Sequence, residues 1–432
     1  MTAAPYRLPY GRDTIEISVP GDLLCPRPAE LAADEEAEVW RALREPIGSP
    51  PLEAIVRPGE RVAVLVNDIT RLTRTDLLLP PLIETLNRAG VPDSDIFIVF
   101  ALGIHRRQTD DERRRILGDE IFRRIRSFDH DCFDDANLVT VGRTSFGNVV
   151  EINRQVIEAD RVVLTGEIIY HLIAGYSGGR KSLVPGVAGF RTTTFNHRMI
   201  FDPRCRPGAL EGNPAHEDLM EACRLVRPDF LLNVVLSPNG ALACAVAGHY
   251  EHAHRAGCRA VDRMLRAGFD EPYDLIIASA GGHPLDIDLR QAHKGLENAC
   301  LALKPGGAIL FYAECPDGAG IPVLRDYVFR YRDDREMAAA LEREFVVGGH
   351  KAYWIARLGR LYNIHLVSSL DAEFVRRCHL HPNRQTEHEQ VLSRLVGTTG
   401  ISGRIAVMPH AGFTLPRQIE PAAELEAAQC NG

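Results

Sequence analysis

The chain has 432 residues, of which 45% are hydrophobic and 25% are charged. That length exceeds what one ordinary core holds, so we expect two domains, and the composition is that of a globular rather than a disordered or fibrous protein. The formal net charge of -8 disfavours a general nucleic-acid-binding protein, although a local basic pocket for an anionic ligand remains compatible with it.

The cysteines and the N-terminus further restrict the kind of protein that we expect. The 10 cysteines are scattered and form no C-x-x-C pair, which argues against a zinc ribbon or a thioredoxin-like motif and favours reduced thiols. The N-terminus lacks a basic start followed by an apolar run, and no window holds about 18 uncharged apolar residues. We therefore expect a soluble cytoplasmic protein that binds neither membrane nor nucleic acid.

The first half of the chain alternates strand-like and helix-like segments. Buried strands are predicted at 61–68, 95–103 and 159–169. The segment LLLPPLIETLNRAGV predicts a helix that ends at Gly90. FLLNVVLS and ALACAVAG predict a hairpin around Pro238-Asn239-Gly240.

The second half begins the alternation again. YDLIIASAGG predicts a strand, RQAHKGLENACLAL a helix and GGAILFYAEC a further strand. The predicted fold class is therefore α/β, with two domains built on mainly parallel, Rossmann-like sheets. We place an N-terminal α/β domain at 1–268, a C-terminal Rossmann-like domain at 269–400, and a tail at 401–432 that we expect to pack back on the first domain.

Polar side chains follow three of the predicted strands. They begin at Asp68, at Gly103 and at Tyr170. In open α/β sheets, ligands bind outside the carboxyl ends of the strands. We therefore expect these loops to line the active site, in the cleft between the two domains.

The segment 171–186, HLIAGYSGGRKSLVPG, is the richest of these loops. Its glycines allow a close backbone approach to a ligand, and Arg180 and Lys181 add cationic donors. A P-loop needs glycine directly before the lysine and a helix after it. Here Arg180 fills the glycine slot and Pro185-Gly186 interrupts the segment, so the sequence does not predict nucleotide triphosphate hydrolysis.

Several histidines are candidates for chemistry. His105, His171 and His197 come from three segments, and together they favour proton transfer or metal binding over three separate structural roles. The spacing of the histidines between 249 and 254 fits no standard metal motif, and we interpret them as a solvated helix start. His216 is a weak candidate, because Asn213 as the N-cap and Pro214 at the first helical position explain its surroundings.

In the second domain, D-L-R-Q-A-H-K predicts a helix start with Arg290 and Lys294 on one face and Gln291 beside Lys294. The proximity of these two cations becomes favourable if an anion lies between them. The alternative is a solvated helix start with two basic residues, but the helix dipole disfavours cations at that end. KPGGAILF resembles a strand-entry turn of methyltransferases, but the glycine-rich first loop of that fold is missing.

Taken together, these motifs resemble the lactate racemase family, the nickel-pincer-dependent 2-hydroxyacid racemases and epimerases. The most specific match is Y-H-x-x-x-G-Y-S-G-G-R-K-S-x-x-P-G followed by F-N-H, in order with D-x-T-R and G-x-H-R. The resemblance extends from Asp68 to at least Trp354.

The resemblance implies a cofactor and roles for the matching residues. The cofactor is a nickel-pincer nucleotide, a pyridinium-3-thioamide-5-thiocarboxylate mononucleotide with nickel, which would be tethered covalently to Lys181. His197 matches the nickel ligand, and His105 and His171 match the two acid/base histidines. The residues placed near the cofactor are Asp68, Ser177, Gly178, Gly179 and Arg180, and those assigned to the substrate are Arg71, Gln291, Lys294 and Trp354.

The implied reaction removes hydride from the substrate's 2-carbon while a histidine takes the hydroxyl proton, and return of hydride to the opposite face inverts the centre. One departure bears on the substrate, because Arg290 stands where lactate racemases have an aromatic residue. A second carboxylate would satisfy Arg290, with Arg74 adding to the same charge, so we favour malate.

The alternatives that remain are lactate, a sugar acid or another 2-hydroxy acid as substrate. A protein that captures the nickel cofactor or an anion without turnover is the non-enzyme alternative. The resemblance also implies cofactor-maturation proteins as partners, and a homodimer is a compatible assembly.

Overall fold

The computed structural model describes residues 5–27, 30–400 and 403–419. The strands within those residues are β1 (Tyr6–Tyr10), β2 (Asp13–Ile17), β3 (Asp22–Leu23), β4 (Val62–Val66), β5 (Ile96–Phe100), β6 (Arg126–Asp129), β7 (Leu138–Arg143), β8 (Val149–Asn153), β9 (Arg161–Glu167), β10 (Tyr170–His171), β11 (Gly175–Tyr176), β12 (Phe230–Leu236), β13 (Leu242–Gly248), β14 (Arg266–Phe269), β15 (Tyr273–Ser279), β16 (Leu303–Tyr312), β17 (Asn363–Val367), β18 (His381–Asn383), β19 (Ile405–Met408) and β20 (Leu415–Gln418). The helices are α1 (Glu35–Arg44), α2 (Leu52–Ile55), α3 (Thr75–Arg88), α4 (Asp110–Leu117), α5 (Asp119–Arg124), α6 (Arg154–Ile157), α7 (Phe190–His197), α8 (Pro214–Val226), α9 (His252–Leu265), α10 (Leu289–Cys300), α11 (Pro322–Arg330), α12 (Asp334–Arg343), α13 (Gly349–Leu361), α14 (Ala372–Arg377) and α15 (His388–Thr399).

The chain divides into two compact units, a central unit of residues 28–264 and a terminal unit that combines 1–27 with 265–432. This division differs from the predicted one at the N-terminus, because β3 pairs in parallel with β19 and so joins the C-terminal sheet. The described part of the predicted tail also belongs to the terminal unit, since β20 pairs with β14 there. Residues 420–432 lie outside the described residues.

The central unit is built on a 6-stranded sheet in the order β13-β12-β9-β4-β5-β6. Its neighbouring strands are parallel except for the β12–β13 hairpin, which confirms the predicted hairpin. Strands β4 and β5 are buried at every residue, as expected for a parallel sheet whose two faces are both covered. Parallel β4, β5 and β9 end at the same edge, so the loops that follow them lie at that edge.

The terminal unit has a parallel 6-stranded sheet in the order β18-β17-β16-β15-β19-β3. The β1–β2 ribbon belongs to this unit because Leu8 and Ile15 pack in one core with Leu275 and Leu310. The two sheets confirm the predicted α/β class with mainly parallel strands. Among the described residues, none of the helices has both the length and the apolar character needed to cross a membrane.

Two helix starts position candidate residues. The Asn213 side chain accepts the backbone N–H of Ala215 at 3.0 Å, which confirms the predicted cap of α8. The Asp288 carboxylate accepts the N–H of Gln291 at 2.7 Å and caps α10. A carboxylate at this helix end offsets the unfavourable interaction between the helix dipole and the cations of the first turn.

Candidate active site

Asp68 and His105 form a pair at the ends of neighbouring strands of the central unit. Asp68 is 4% exposed, and its Oδ2 contacts Nδ1 of His105. Its other oxygen, Oδ1, accepts the backbone N–H of Thr70 at 3.0 Å and the Thr70 hydroxyl at 2.6 Å. Burial alone would raise the pKa of Asp68, but the hydrogen bonds from His105 and Thr70 outweigh it and lower the pKa.

An ionised carboxylate only accepts hydrogen bonds, so His105 donates from Nδ1 to Asp68. In the neutral imidazole, Nε2 of His105 then carries a lone pair and can accept a proton. The sequence placed Asp68 near the cofactor, whereas the contact in the structure orients His105. This resembles the arrangement in which a buried carboxylate fixes the tautomer of a catalytic histidine.

The loop after β4 carries Arg71 and Arg74, which have different surroundings. Arg71 is exposed and its Nη1 lies 3.2 Å from the hydroxyl of Thr70. Arg74 is in the left-handed region with φ 51° at the start of α3, and its Nη2 lies 2.9 Å from Oε2 of Glu35. The loop is not helical, so the predicted one-turn spacing of the two arginines does not form, and the charge of Arg74 is directed at Glu35.

His171 lies in β10, in the loop region that follows β9. Its Nδ1 accepts the backbone N–H groups of Ile173 at 3.1 Å and Ala174 at 3.2 Å. Burial, reinforced by the positive charge of Lys181, holds the pKa of His171 well below its usual value. The ring is therefore neutral, with its hydrogen assigned to Nε2 because Nδ1 is used as an acceptor.

Ser177, Gly178 and Gly179 fold the loop back onto the protein. The Ser177 hydroxyl donates to the backbone oxygen of Glu167 at 2.8 Å. Gly178 has φ 68°, and a Cβ there would lie 2.8 Å from Oδ1 of Asn233. A Cβ on Gly179 would lie 2.7 Å from the ring of His254. Both glycines are thus required by packing within the protein, whereas the sequence interpreted them as allowing a ligand to approach.

Arg180 points away from solvent, at 1% exposure. Its Nη2 donates to the backbone oxygen of Ala174 at 2.7 Å, and its Nη1 lies 2.8 Å from Nε2 of His254. Its Nε has no partner among the residues that the structure describes, and burial lowers the pKa of Arg180 to about 10. These contacts hold the loop against α9 and against its own backbone, whereas the sequence assigned Arg180 to the cofactor.

His254 is 2% exposed, which makes the interpretation of this segment as a solvated helix start wrong for this residue. It lies on the inner face of α9, where Cys258 one turn later contacts its ring at 3.7 Å. His216 is also buried, at 4% exposure. Burial lowers the pKa of His254 well below its usual value, with the Arg180 charge adding to the effect.

Lys181 is partly buried and follows Arg180 in the same 3₁₀ turn. Burial lowers the pKa of Lys181 to about 7, and the charges of Arg180 and Arg71 act in the same direction. A large part of this amine is therefore unprotonated at neutral pH, which makes it a nucleophile. This is the chemical state that a covalent tether requires.

His197 is the last residue of α7. Its Nδ1 lies 2.8 Å from the backbone oxygen of Thr193, so Nδ1 donates and Nε2 carries the lone pair. Burial lowers the pKa of His197 to about 4, with a further contribution from Lys181. A neutral imidazole with a bare Nε2 is the form that binds a metal ion.

No cluster of three or more His, Cys, Asp or Glu side chains that could hold a metal ion occurs in the described part of the chain. The fields of Lys181, His197 and Arg71 all reach His171, and that of Arg71 also reaches Asp68. The structure thus places Lys181, His197 and Arg71 within electrostatic range of His171.

Asn233 is a residue that the sequence analysis did not single out. It lies in the buried strand β12, and its Oδ1 accepts the N–H of Gly179 at 2.8 Å. A parallel link runs from the Ser182 hydroxyl to the backbone oxygen of Thr165 at 2.6 Å. The signal in the sequence was an amide inside the apolar run FLLNVVL, because a buried polar group needs a partner.

In the terminal unit, the first turns of α10 carry Arg290, Gln291 and Lys294. Lys294 Nζ donates to Oε1 of Gln291 at 2.8 Å, so the predicted neighbours do lie together. Arg290 makes one long contact, 3.6 Å from Nη2 to Oδ2 of Asp288. Its Nε is buried with no hydrogen-bond partner among the described residues.

Trp354 lies on α13 of the same unit. Its Nε1 is also buried without a hydrogen-bond partner in the described residues. The guanidinium of Arg357 stands 5.2 Å from the centre of a Trp354 ring. Two of the predicted substrate residues, Arg290 and Trp354, therefore retain unused buried donors, which are costly unless a ligand or water accepts from them.

Two family models match the chain, one described as the lactate racemase N-terminal domain over residues 10–208 and one as the lactate racemase C-terminal domain over residues 270–412. Among curated proteins, the lactate racemase of Thermoanaerobacterium thermosaccharolyticum is 33% identical over 325 residues, covering 73% of this chain and 76% of that protein. The lactate racemase of Lactiplantibacillus plantarum is 33% identical over 321 residues, with 72% and 75% covered.

Two solved structures are also similar to this chain. The lactate racemase apoprotein from Thermoanaerobacterium thermosaccharolyticum matches with a TM-score of 0.88 and 30% identity, over 96% of this chain and 100% of that one. A protein from Thermotoga maritima matches with a TM-score of 0.64 at 18% identity, over 89% of this chain and 98% of that one, and supports the fold alone.

Proposed function

The chain belongs to the lactate racemase family and is an isomerase, and we propose that it interconverts the enantiomers of malate, using His105 as the base and His171 as the acid. The observation that carries this proposal is the different hydrogen bonding of the two rings, because Nδ1 of His105 contacts a carboxylate whereas Nδ1 of His171 accepts two backbone N–H groups. His105, held by Asp68, presents a lone pair on Nε2, whereas His171 presents an N–H there. One base and one acid are what a reversible alcohol oxidation needs.

Three side chains of the central unit have separate roles in the proposed reaction. His105 accepts the hydroxyl proton of the 2-hydroxy acid, and its pairing with Asp68 stabilises the imidazolium that forms. His171 carries the second exchangeable proton at Nε2, and its two backbone hydrogen bonds fix the ring orientation. Arg71 is exposed, and its guanidinium can hold the substrate carboxylate.

The residues present fit the nickel-pincer nucleotide that the family resemblance implies. Lys181 would form the covalent tether, and His197 would supply the nickel ligand through Nε2. When bound, this group supplies a reversible hydride acceptor for the substrate's 2-carbon. The cofactor-maturation proteins that would load it are then functional partners of this chain.

Malate as the substrate rests on Arg290. Its Nε has no partner among the described residues, and its contact with Asp288 is single and long. Lactate ends in a methyl group, which offers no acceptor, whereas the second carboxylate of malate would accept from this guanidinium. Arg74 is left out of the proposed substrate site, because it faces Glu35.

The family-level part of the proposal is tested by intact-protein mass spectrometry and nickel analysis after expression with the maturation proteins. We expect added mass localised to Lys181 together with about one nickel per chain, both lost in Lys181→Arg. A loaded chain with no mass at Lys181 would contradict the assignment of the tether.

The substrate is tested with the loaded protein by chiral chromatography of L-malate and L-lactate. Arg290→Tyr should reduce kcat/KM for malate by about 10–100-fold and leave that for lactate unchanged or higher. The matched control is Lys294→Gln, which should weaken both substrates. Racemisation of lactate with no change in malate, or an equal loss for both in Arg290→Tyr, would overturn malate and leave the racemase assignment in place.

Interconversion of the two enantiomers distinguishes the enzyme from a cofactor-binding protein. A racemase equilibrates the two enantiomers of each added 2-hydroxy acid that it accepts, whereas a binding protein leaves the enantiomeric ratio fixed. A panel of malate, lactate and sugar acids with nickel-loaded protein would distinguish these alternatives. The observation that favours turnover is the Asp68–His105 pair, which ligand capture would not require.

A further inference from the structure

A cavity of about 560 Å³ opens at the edge of the terminal unit's sheet. Its walls come from the edge strand β18, from the neighbouring strand β17 and from helices α14 and α15, and we call it the edge pocket. The volume lies in the range of small-molecule sites. None of the residues that line it has a role in the proposed racemase chemistry.

The edge pocket carries uncompensated positive charge. Arg376 of α14 and Arg394 of α15 both line it, and neither guanidinium has a hydrogen-bond or ion-pair partner among the described residues. No Asp or Glu lines the cavity. By contrast, Arg360 in the same unit pairs with Asp334 through two hydrogen bonds of 2.7 and 2.8 Å.

The floor of the edge pocket adds polar groups. His365 and His381 come from paired strands, and their rings stack with centroids 4.7 Å apart. His365 is 7% exposed, and its Nδ1 has no hydrogen-bond partner within the described residues. A buried ring nitrogen without a partner is uncommon in a folded protein and points to a missing ligand or water.

Arg376 and Arg394 are both exposed to solvent, but they do not lie on one convex helix face. Here two cations from different helices share one concave site, with the amide of Asn383 beside them. The two cations repel each other, and solvent screens part of this repulsion because both residues are exposed. Such a site is stabilised when an anion occupies it.

We propose that the edge pocket binds the phosphate group of a small molecule. Two unpaired guanidiniums match the charge of a phosphate monoester, which is about -1.5 to -2 at neutral pH and brings three acceptor oxygens. The planar fork of arginine fits phosphate oxygens in a bidentate geometry. Pro382 and Leu395, which also line the cavity, provide apolar surface for an organic portion.

The proposal is tested by isothermal titration calorimetry of the full chain with inorganic phosphate and with glycerol 3-phosphate. We expect saturable binding that the double variant Arg376→Gln/Arg394→Gln weakens by about 100-fold, since each arginine is expected to supply about tenfold. Arg335→Gln, which changes an exposed arginine on α12 of the same unit, is the matched control and should bind as the wild type.

The two ligands distinguish the sources of the phosphate. Tighter binding of glycerol 3-phosphate would indicate a phosphorylated metabolite, and equal binding would indicate free phosphate. Binding that is insensitive to both arginine changes would lie elsewhere and would overturn the proposal, as would the absence of saturable binding. Binding of malate in place of phosphate at this pocket would also overturn the proposal. Phosphorus NMR line widths of the phosphate ligand, recorded with the wild-type protein, provide an independent measurement of binding.

Discussion

We expect the buried His216 to make the free energy of unfolding sensitive to acid. It is 4% exposed in the first turns of α8, and its Nδ1 has no hydrogen-bond partner among the described residues. Burial lowers the pKa of His216 from 6.5 to about 2, and the charge of Arg180 adds to the effect. The folded chain therefore keeps this ring neutral at pH values where the unfolded chain protonates it.

The direction and size follow from proton linkage. Above pH 6.5, the pKa of the unfolded state, the lowered pKa of His216 has no effect on the free energy of unfolding. Below pH 6.5 the unfolded chain takes up a proton that the folded chain does not, so the free energy of unfolding falls. Between about pH 7.5 and pH 5 the loss from His216 is about 2 kcal/mol, at 1.36 kcal/mol for each pH unit below 6.5. Replacing His216 by Leu removes this contribution.

The assay uses the tryptophans, of which the chain has 2. Trp40 lies in the central unit and Trp354 in the terminal unit, so Trp354→Phe leaves a fluorescence signal that reports on the central unit. Urea unfolding at the two pH values should show that His216→Leu loses about 2 kcal/mol less than its parent on acidification.

His252→Leu, at an exposed histidine of the same unit, is the matched control and should follow the parent at both pH values. If His216→Leu and its parent lose equal stability between the two pH values, the buried neutral state of His216 would be refuted.

Two further predictions concern the candidate active site. Asp68→Asn should lower kcat of the loaded enzyme by about 10²–10⁴-fold, because the amide no longer holds the Nδ1–H tautomer of His105. The control is Asp129→Asn, at a similarly buried carboxylate, which should change kcat little. A loss of less than about threefold in Asp68→Asn would contradict the orienting role. Amine labelling of the apoprotein, read by peptide mass spectrometry, should show Lys181 half-maximally reactive near pH 7. The partly exposed Lys304, which pairs with Asp274, serves as the internal reference. Labelling of Lys181 that rises only above about pH 9 would contradict its lowered pKa.

Much of the framework could be predicted because its signals are local. The apolar runs of β4 and β5 identify buried strands, and Asn213 with Pro214 marks the start of α8. The spacing of polar residues after three strands located the central part of the candidate site, since parallel strands end at one edge of a sheet. These features need only a window of a few residues to be recognised.

Three features depended on contacts between distant residues. Asp68 pairs with His105 across 37 positions, and no local pattern in the sequence predicts that contact. Arg180 and Gly179 pack against His254, which looked like a solvated residue in a helix start. The N-terminal strand β3 joins β19 and so moves 1–27 into the terminal unit.

The sequence by itself therefore determined the α/β class and the family and supplied the candidate site residues, because these follow from local patterns and from a dense motif. The tertiary structure decided which nitrogen of His105, His171 and His197 carries the hydrogen, since that depends on the acceptor or donor that faces each ring. It also decided the lowered pKa of Lys181, because burial is a property of the packed chain and not of the residue type.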